Sequence, residues 1–109
     1  MGEPLELVQG TVDVLILRAL SRGPMHGYGI SQWVRQRSDG ALAIEDAALY
    51  QALHRLERKR WVESEWGISD TNRRAKFYAL TSRGHTQLAS DIAALRQYVE
   101  ALFKVLQPA

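Results

Sequence analysis

The chain has 109 residues, with 14 lysines and arginines against 12 acidic residues, a net charge of +2 and no cysteine. This length suits one domain, and the lack of cysteine excludes disulfides and cysteine-ligated zinc and agrees with a reducing cytoplasmic location. The apolar run at residues 14–17 is far too short to span a membrane, and the acidic N-terminus lacks the basic segment of a secretory signal. We therefore expect a cytoplasmic protein with no membrane partner.

Two helices are predicted in the first third of the chain. The apolar face of the first ends before Gly23-Pro24 and consists of Val8, Val12, Leu15, Ile16, Ala19 and Leu20. The second begins near Gly27, and the turn formers Ser38-Asp39-Gly40 end it. Residues 41–44 are a candidate short third strand.

A third helix opens at Glu45-Asp46, where negative charge suits the helix macrodipole. Its apolar face repeats at i, i+3, i+4 and i+7 through Leu49, Ala52, Leu53 and Leu56. Small residues near the start of the opposite face would let a backbone approach a DNA groove, and glutamine and arginine further along can bind adenine and guanine edges. The predicted DNA-contacting residues are Ala47, Ala48, Tyr50, Gln51, His54, Arg55 and Arg58. The alternative is an ordinary solvated helix face.

A hairpin is predicted after this helix. Residues 61–68 alternate as a half-buried strand, residues 69–72 are turn formers, and residues 75–81 alternate again. Basic side chains at the tip can contact phosphate or a minor groove, and the alternative is that they only keep the hairpin soluble. The residues predicted for this wing are Asn72, Arg73, Arg74 and Lys76.

The positive charge is concentrated around these two elements. Residues 55–83 hold eight of the 14 basic residues and four of the 12 acidic ones, a net charge of +4 there and −2 elsewhere. A basic patch on a near-neutral body is typical of a protein that binds nucleic acid.

The last predicted helix spans residues 82–106 and carries a heptad spacing of apolar residues. At 1.5 Å per residue it would be roughly 37 Å long, which exceeds the diameter of a small domain. We therefore favour dimerisation through this seam over the alternative that it only covers the domain's own core. The seam consists of Leu88, Ile92, Leu95, Val99, Leu102 and Leu106.

No pattern indicates an enzyme or a cofactor. His26, His54 and His85 show no metal-ligand spacing, and there is no Walker sequence or nucleophile elbow. We therefore predict no catalytic residue, no metal and no cofactor.

The chain resembles the PadR family of transcriptional regulators, of the short class with a single C-terminal helix. The resemblance covers nearly the whole chain through the motifs LILRAL (15–20), GPMHGYGI (23–30), LYQALHRLE (49–57), ESEWG (63–67) and RRAKFYALTSRG (73–84). It implies a winged helix-turn-helix, mainly α with a small β-hairpin, with residues 1–81 as the DNA-binding domain and residues 82–109 as a dimerisation helix in one continuous unit. It also implies a cytoplasmic homodimeric repressor of palindromic operators that a small hydrophobic effector releases from DNA.

The chain departs from the family pattern at three places. Arg60 stands where the family usually has glycine at the end of the third helix, so that helix is expected to close differently or to run longer. Ala47-Ala48 replaces a common Gly-Thr, which removes a hydroxyl. Leu95 replaces a tryptophan that stacks flat ligands in many relatives, which weakens the case for an aromatic effector. The candidate effector pocket between subunits consists of Val8, Val12, Leu95, Tyr98 and Leu102.

The sequence is compatible with two functions. The first is the sequence-specific DNA-binding repressor. The alternative is a winged-helix adaptor that uses the same surface to bind proteins without specific DNA readout.

Overall fold

The computed structural model describes residues 3–8 and 10–108. The portions of the predicted segments 1–81 and 82–109 that fall on residues 1, 2, 9 and 109 lie outside this description. The elements in chain order are α1 (Thr11–Leu20), β1 (Met25–His26), α2 (Gly27–Arg37), α3 (Asp46–Arg58), β2 (Val62–Ile68), β3 (Arg74–Leu80) and α4 (Ser82–Leu106). The predicted order of helix, helix, helix, hairpin and long helix is confirmed.

The four helices and the sheet enclose one core. α1 packs on α2, α3 and α4, and it supplies the fully buried Ile16 and Leu17. α3 buries its predicted apolar face of Leu49, Ala52, Leu53 and Leu56. Val8 precedes α1 rather than lying on it, and its carbonyl accepts hydrogen bonds from the backbone N–H and the hydroxyl of Thr11.

The sheet has three antiparallel strands in the order β1-β3-β2. The third strand is Met25–His26, which pairs with Tyr78 and Phe77, so the prediction of a strand at residues 41–44 was wrong. That segment makes no strand pairing among the described residues: Ala41 O accepts from Leu5 N–H, Ala41 N–H donates to Ser38 O, and Ile44 is buried in the core. Its apolar character therefore reflects burial and not strand pairing.

α3 ends in the left-handed way that glycine favours, although the residue there is Arg60. Its φ is +62°, its N–H donates to the carbonyl of Glu57, and the N–H of Trp61 donates to that of Leu56. These two hydrogen bonds form a Schellman motif, which satisfies the last carbonyls of the helix. The expectation that the helix closes differently or runs longer was therefore wrong.

α4 begins directly after β3 and is held against the end of α3. The Thr81 hydroxyl donates to Arg60 O and accepts from the N–H of Gly84, which caps the helix. Thr81 N–H donates to Trp61 O, and a methyl group on Gly84 would overlap that same carbonyl oxygen. These contacts therefore fix the start of α4 relative to α3 and the hairpin.

Candidate nucleic-acid interface

The exposed face of α3 is the first part of the candidate interface. Its outward residues form one shallow surface and are Ala47, Tyr50, Gln51, His54, Arg55 and Arg58. Ala48 lies at the edge of this face and is half-buried against the core. Six of the seven predicted residues are thus brought together on one surface.

Three side chains on this face are available for an external partner. Within residues 3–8 and 10–108, the side chains of Gln51, His54 and Arg58 make no hydrogen bond or ion pair. They present amide, imidazole and guanidinium groups, which are the groups that bind base edges and phosphates.

Arg55 differs from these three because it already has a partner. Its Nη2 lies 2.7 Å from Oδ1 of Asp13, which is in the first turn of α1. This pair is not apparent from the sequence, because the two residues are 42 positions apart.

The tip of the hairpin is the second part of the interface. Asn72 turns the chain with a φ of +60°, a conformation that asparagine tolerates better than most residues. Ser69 N–H donates to Arg73 O at 2.8 Å, which closes the turn. The side chains of Arg73 and Arg74 are exposed beyond it, as predicted.

Arg74 and Lys76 contact different parts of the protein. The Arg74 guanidinium lies 4.4 Å from the centre of the Trp66 ring, a cation–π contact that orients it. Lys76 is half-buried, and its Nζ lies 4.0 Å from Oε1 of Glu57 on α3. Lys76 therefore faces α3, and Arg73 and Arg74 provide the free charge at the tip.

A groove of about 710 Å³ lies between the hairpin and the start of α2, and α3 contributes Tyr50 to its lining. The exposed rings of Tyr28 (66% exposed) and Trp66 (58% exposed) line it together with Arg73 and Arg74. Neither Tyr28 nor Trp66 was predicted as a site residue. The even positions of β2 share one face, and that face becomes more exposed along the strand from Val62 through Ser64 to Trp66.

Glu57 connects α3 to both strands of the hairpin. Its Oε2 accepts a hydrogen bond of 2.5 Å from the Ser64 hydroxyl, and its Oε1 faces Lys76. Burial raises the pKa of the nearby Tyr78 hydroxyl, and the negative charge of Glu57 raises it further. These contacts fix the angle between the exposed face of α3 and the wing.

The start of α2 is fixed by two side chains. Nδ1 of His26 accepts a hydrogen bond of 3.0 Å from Gly29 N–H and caps the helix. Tyr50 lies over Gly27, where an added Cβ would be 2.5 Å from the tyrosine hydroxyl. α2 and α3 therefore approach closely at this point.

The apolar face of α4 is the second candidate surface. Leu88 is only 6% exposed and belongs to the domain's own core, so the predicted seam is available to a partner only beyond it. The next four seam residues are 37–40% exposed, and Leu106 is more exposed still; the four are Ile92, Leu95, Val99 and Leu102.

The residues of the predicted effector pocket do not line one cavity within this chain. Val8 and Tyr98 are exposed, Val12 is half-buried against the core, and Leu95 and Leu102 lie on the α4 seam. Leu95 contributes to a shallow depression with Ile92, Arg96, Val99 and Glu100. A pocket that contains all five predicted residues would need a second subunit.

Metal-binding clusters and membrane-spanning helices are both absent from the described residues. The described residues contain no group of three or more histidine or acidic side chains that could hold a metal ion. In the same part of the chain, no helix is long and apolar enough to cross a membrane.

Comparison with known proteins decides the family. The model of the transcriptional regulator PadR-like family matches residues 16–90, which include α2, α3 and the hairpin. The chain belongs to this family. Its fold is the winged helix-turn-helix of PadR-like regulators, with the long C-terminal helix that the sequence predicted.

Solved structures of transcriptional regulators, two of them named as PadR or PadR family proteins, share this fold. A transcriptional regulator of Clostridium thermocellum is 28% identical with a TM-score of 0.83, over 91% of this chain and 96% of that one. A PadR family regulator of Clostridium difficile is 29% identical with a TM-score of 0.77, over 90% and 100%. Bacillus subtilis PadR, solved in complex with operator DNA, is 22% identical with a TM-score of 0.67, over 75% and 46%.

Proposed function

We propose that this PadR-like chain is a repressor that binds a palindromic operator as a homodimer. In this proposal α3 enters the major groove of each half-site, and the wing contacts the flanking phosphates or minor groove. A small hydrophobic molecule bound between the subunits releases the operator.

The exposed face of α3 carries the proposal. Gln51, His54 and Arg58 have no partner among the described residues, although each can make two or more hydrogen bonds. The opposite face of the helix is buried, so the core fixes the side of α3 on which these donors lie. Unpartnered donors on the exposed face of a helix suit the edges of bases in a major groove.

The wing supports contact with the DNA backbone. Arg73 and Arg74 are adjacent at the tip, and the groove between the hairpin and the start of α2 contains exposed aromatic rings. Arginine binds phosphate through charge-assisted hydrogen bonds, so this surface suits one strand of a duplex whose major groove holds α3. The operator complex of Bacillus subtilis PadR, which has the same fold, supports the DNA-binding part of the proposal.

The exposed seam of α4 supports the homodimer. Ile92, Leu95, Val99 and Leu102 leave an apolar stripe uncovered along a helix that extends away from the core. Two such stripes packed together would place the two α3 helices for successive major grooves, about 34 Å apart. Val8, Val12 and Tyr98 would then border the apolar space in which an effector binds.

An effector acts in this proposal only through the geometry of the dimer. It must favour an arrangement of the two subunits whose α3 helices no longer match the spacing of the grooves. Leu95 offers an aliphatic surface in place of an aromatic one, so an aliphatic ligand suits this pocket better than a flat ring.

The test begins with selection of duplex DNA from a random pool, followed by affinity measurements on the selected site and on random duplex. We expect Gln51→Ala and Arg58→Ala to lose about 1–3 kcal/mol of binding free energy on the selected site, because each removes a contact within the groove. Gln97→Ala, an exposed glutamine on α4, is the matched control and should bind as the wild type does.

Two results would contradict the proposal. If Gln51→Ala and Arg58→Ala bound the selected site normally, α3 would not be the reading helix. If the wild-type protein bound duplex DNA without a steep loss of affinity as salt rises, the protein-adaptor alternative would replace the DNA-binding one.

A further inference from the structure

Asp13 and Arg55 form an ion pair that joins α1 to the exposed face of α3. The Arg55 Nη2 lies 2.7 Å from the Asp13 Oδ1, and the side chains are 44% and 24% exposed. Arg55 lies on the same shallow surface as Gln51, His54 and Arg58, so the pair stands at the edge of the proposed base-reading face.

The geometry leaves most of the guanidinium free. Arginine has five N–H donors in a planar fork, and the contact with Asp13 involves one of its terminal nitrogens. The remaining donors can still make the paired hydrogen bonds that arginine forms with guanine O6 and N7. A long arginine side chain loses much rotamer freedom when it is ordered, and a carboxylate partner orders it before DNA arrives.

The pair also has a consequence for charge. Asp13 neutralises Arg55 beside the DNA-facing surface, so Arg55 adds little to the general attraction for phosphate. Attraction to phosphate is independent of sequence and supplies most non-specific binding. A neutralised and oriented arginine therefore favours base reading over indiscriminate binding.

We infer that Asp13 is a positioning residue that sets the specificity of DNA binding by holding Arg55 toward a base edge. This inference rests on the proposed function. It assigns to α1, which lies outside the helix-turn-helix pair, a direct part in the discrimination between operator and random DNA.

The experiment compares Asp13→Asn with the wild type on the selected operator and on random duplex. The variant keeps the shape of the side chain and removes its charge. We expect affinity for random duplex to rise and the ratio of operator to random affinity to fall by about fivefold or more, because a free Arg55 binds phosphate readily and reads bases poorly. The dependence of random-duplex affinity on salt should steepen by about one unit per subunit.

Asp91→Asn on α4 is the matched control, because it removes one negative charge at a partly buried helical aspartate away from α3. Its ratio of affinities should equal that of the wild type. Thermal unfolding followed by circular dichroism distinguishes a loss of fold stability from a change in specificity. A loss of fold stability in Asp13→Asn would lower the unfolding temperature and would lower the affinities for operator and random duplex together.

A double variant tests whether Asp13 acts through Arg55. Arg55→Ala removes both the planar fork and the charge, so it should itself lower the ratio of affinities. Adding Asp13→Asn to Arg55→Ala should then lower the ratio no further.

An unchanged or increased ratio in Asp13→Asn would overturn the inference, as would a further loss in the double variant. In either case specific binding by the wild type would leave the proposed function standing. If the wild type itself did not distinguish the selected site from random duplex, the proposed function and this inference would both fall.

Discussion

Arg60 ends α3 with a backbone conformation that costs an ordinary L-residue about 1–2 kcal/mol. The cost arises because the Cβ crowds the following carbonyl when φ is near +62°. The Schellman hydrogen bonds of Arg60 and Trp61 hold the conformation in spite of the residue type. Hydrogen bonding and the packing of Trp61 thus outweigh the preference of arginine for a negative φ. The helix therefore ends as it would with glycine, which the residue type alone did not predict.

We expect Arg60→Gly to raise the free energy of unfolding by about 0.5–1 kcal/mol, because glycine relieves the crowding but loses more entropy on folding. Urea unfolding followed by circular dichroism measures this change. Arg60→Ala is the control, since alanine keeps the Cβ and should give no such gain. Equal stabilisation by both variants would mean that the arginine side chain, and not its φ, is the source of the cost.

The hairpin and α4 are each held in place by a few specific contacts with neighbouring elements. Glu57 ties the hairpin to α3 through Ser64 and Lys76, whereas Arg73 and Arg74 at the tip are exposed. Because both arginines lie beyond the turn, their exposure does not depend on the core.

In the wing, Arg73→Ala with Arg74→Ala should weaken binding to operator and random duplex alike and flatten the salt dependence by about two units per subunit. The reason is that phosphate contacts carry charge but little sequence information. Arg35→Ala with Arg37→Ala removes two exposed charges from the far end of α2 and serves as the control. A loss confined to the operator would mean that the wing reads sequence.

At the start of α4, Gly84→Ala should lower the free energy of unfolding by about 1–3 kcal/mol, because the new methyl group collides with the Trp61 carbonyl. Gly29→Ala is a close control. Gly29 is likewise the third residue of its helix and donates to a capping side chain, but its added Cβ would have ordinary contacts of 3.5 Å or more. Thermal or urea unfolding should show Gly29→Ala as stable as the wild type or slightly more so; equal losses would point to helix capping as the cause.

Helical and alternating periodicity located every helix and the hairpin, since each is long enough for its pattern to repeat. β1 has two residues and no pattern to repeat, so only its pairing with Tyr78 and Phe77 reveals it. The exposed face of α3 was predictable because its opposite face is apolar. The Asp13–Arg55 pair and the burial of Leu88 were not, because they depend on how α1 packs against α3 and α4.

The whole molecule is elongated. Its radius of gyration is 15.3 Å, where a compact domain of this length would have about 13 Å, and its extents are 57 × 36 × 21 Å. The long α4 accounts for the difference, because only its first part packs on the domain and its later residues are exposed. An exposed apolar stripe on such a projection is the reason to expect a second subunit.

We expect Leu95→Glu with Leu102→Glu to produce monomers, because two charges per subunit would be placed in the apolar seam. Sedimentation measures the assembly state, and the monomer should lose affinity for a palindrome. Ala94→Glu with Ala101→Glu is the control, since these exposed positions have the same spacing but lie on another side of α4. If the leucine variant still sedimented as a dimer, the interface and the proposed effector pocket would lie elsewhere.

The close packing of Gly84 on Trp61 has a mechanical consequence. There is no flexible linker between β3 and α4, since Thr81 alone separates them and is itself hydrogen-bonded to Arg60 and Trp61. α4 is therefore rigidly joined to the end of α3. In the proposed dimer, a small change in the angle at which two α4 helices cross would be magnified at the far end of each subunit, so the two α3 helices would move further than the residues of the proposed seam.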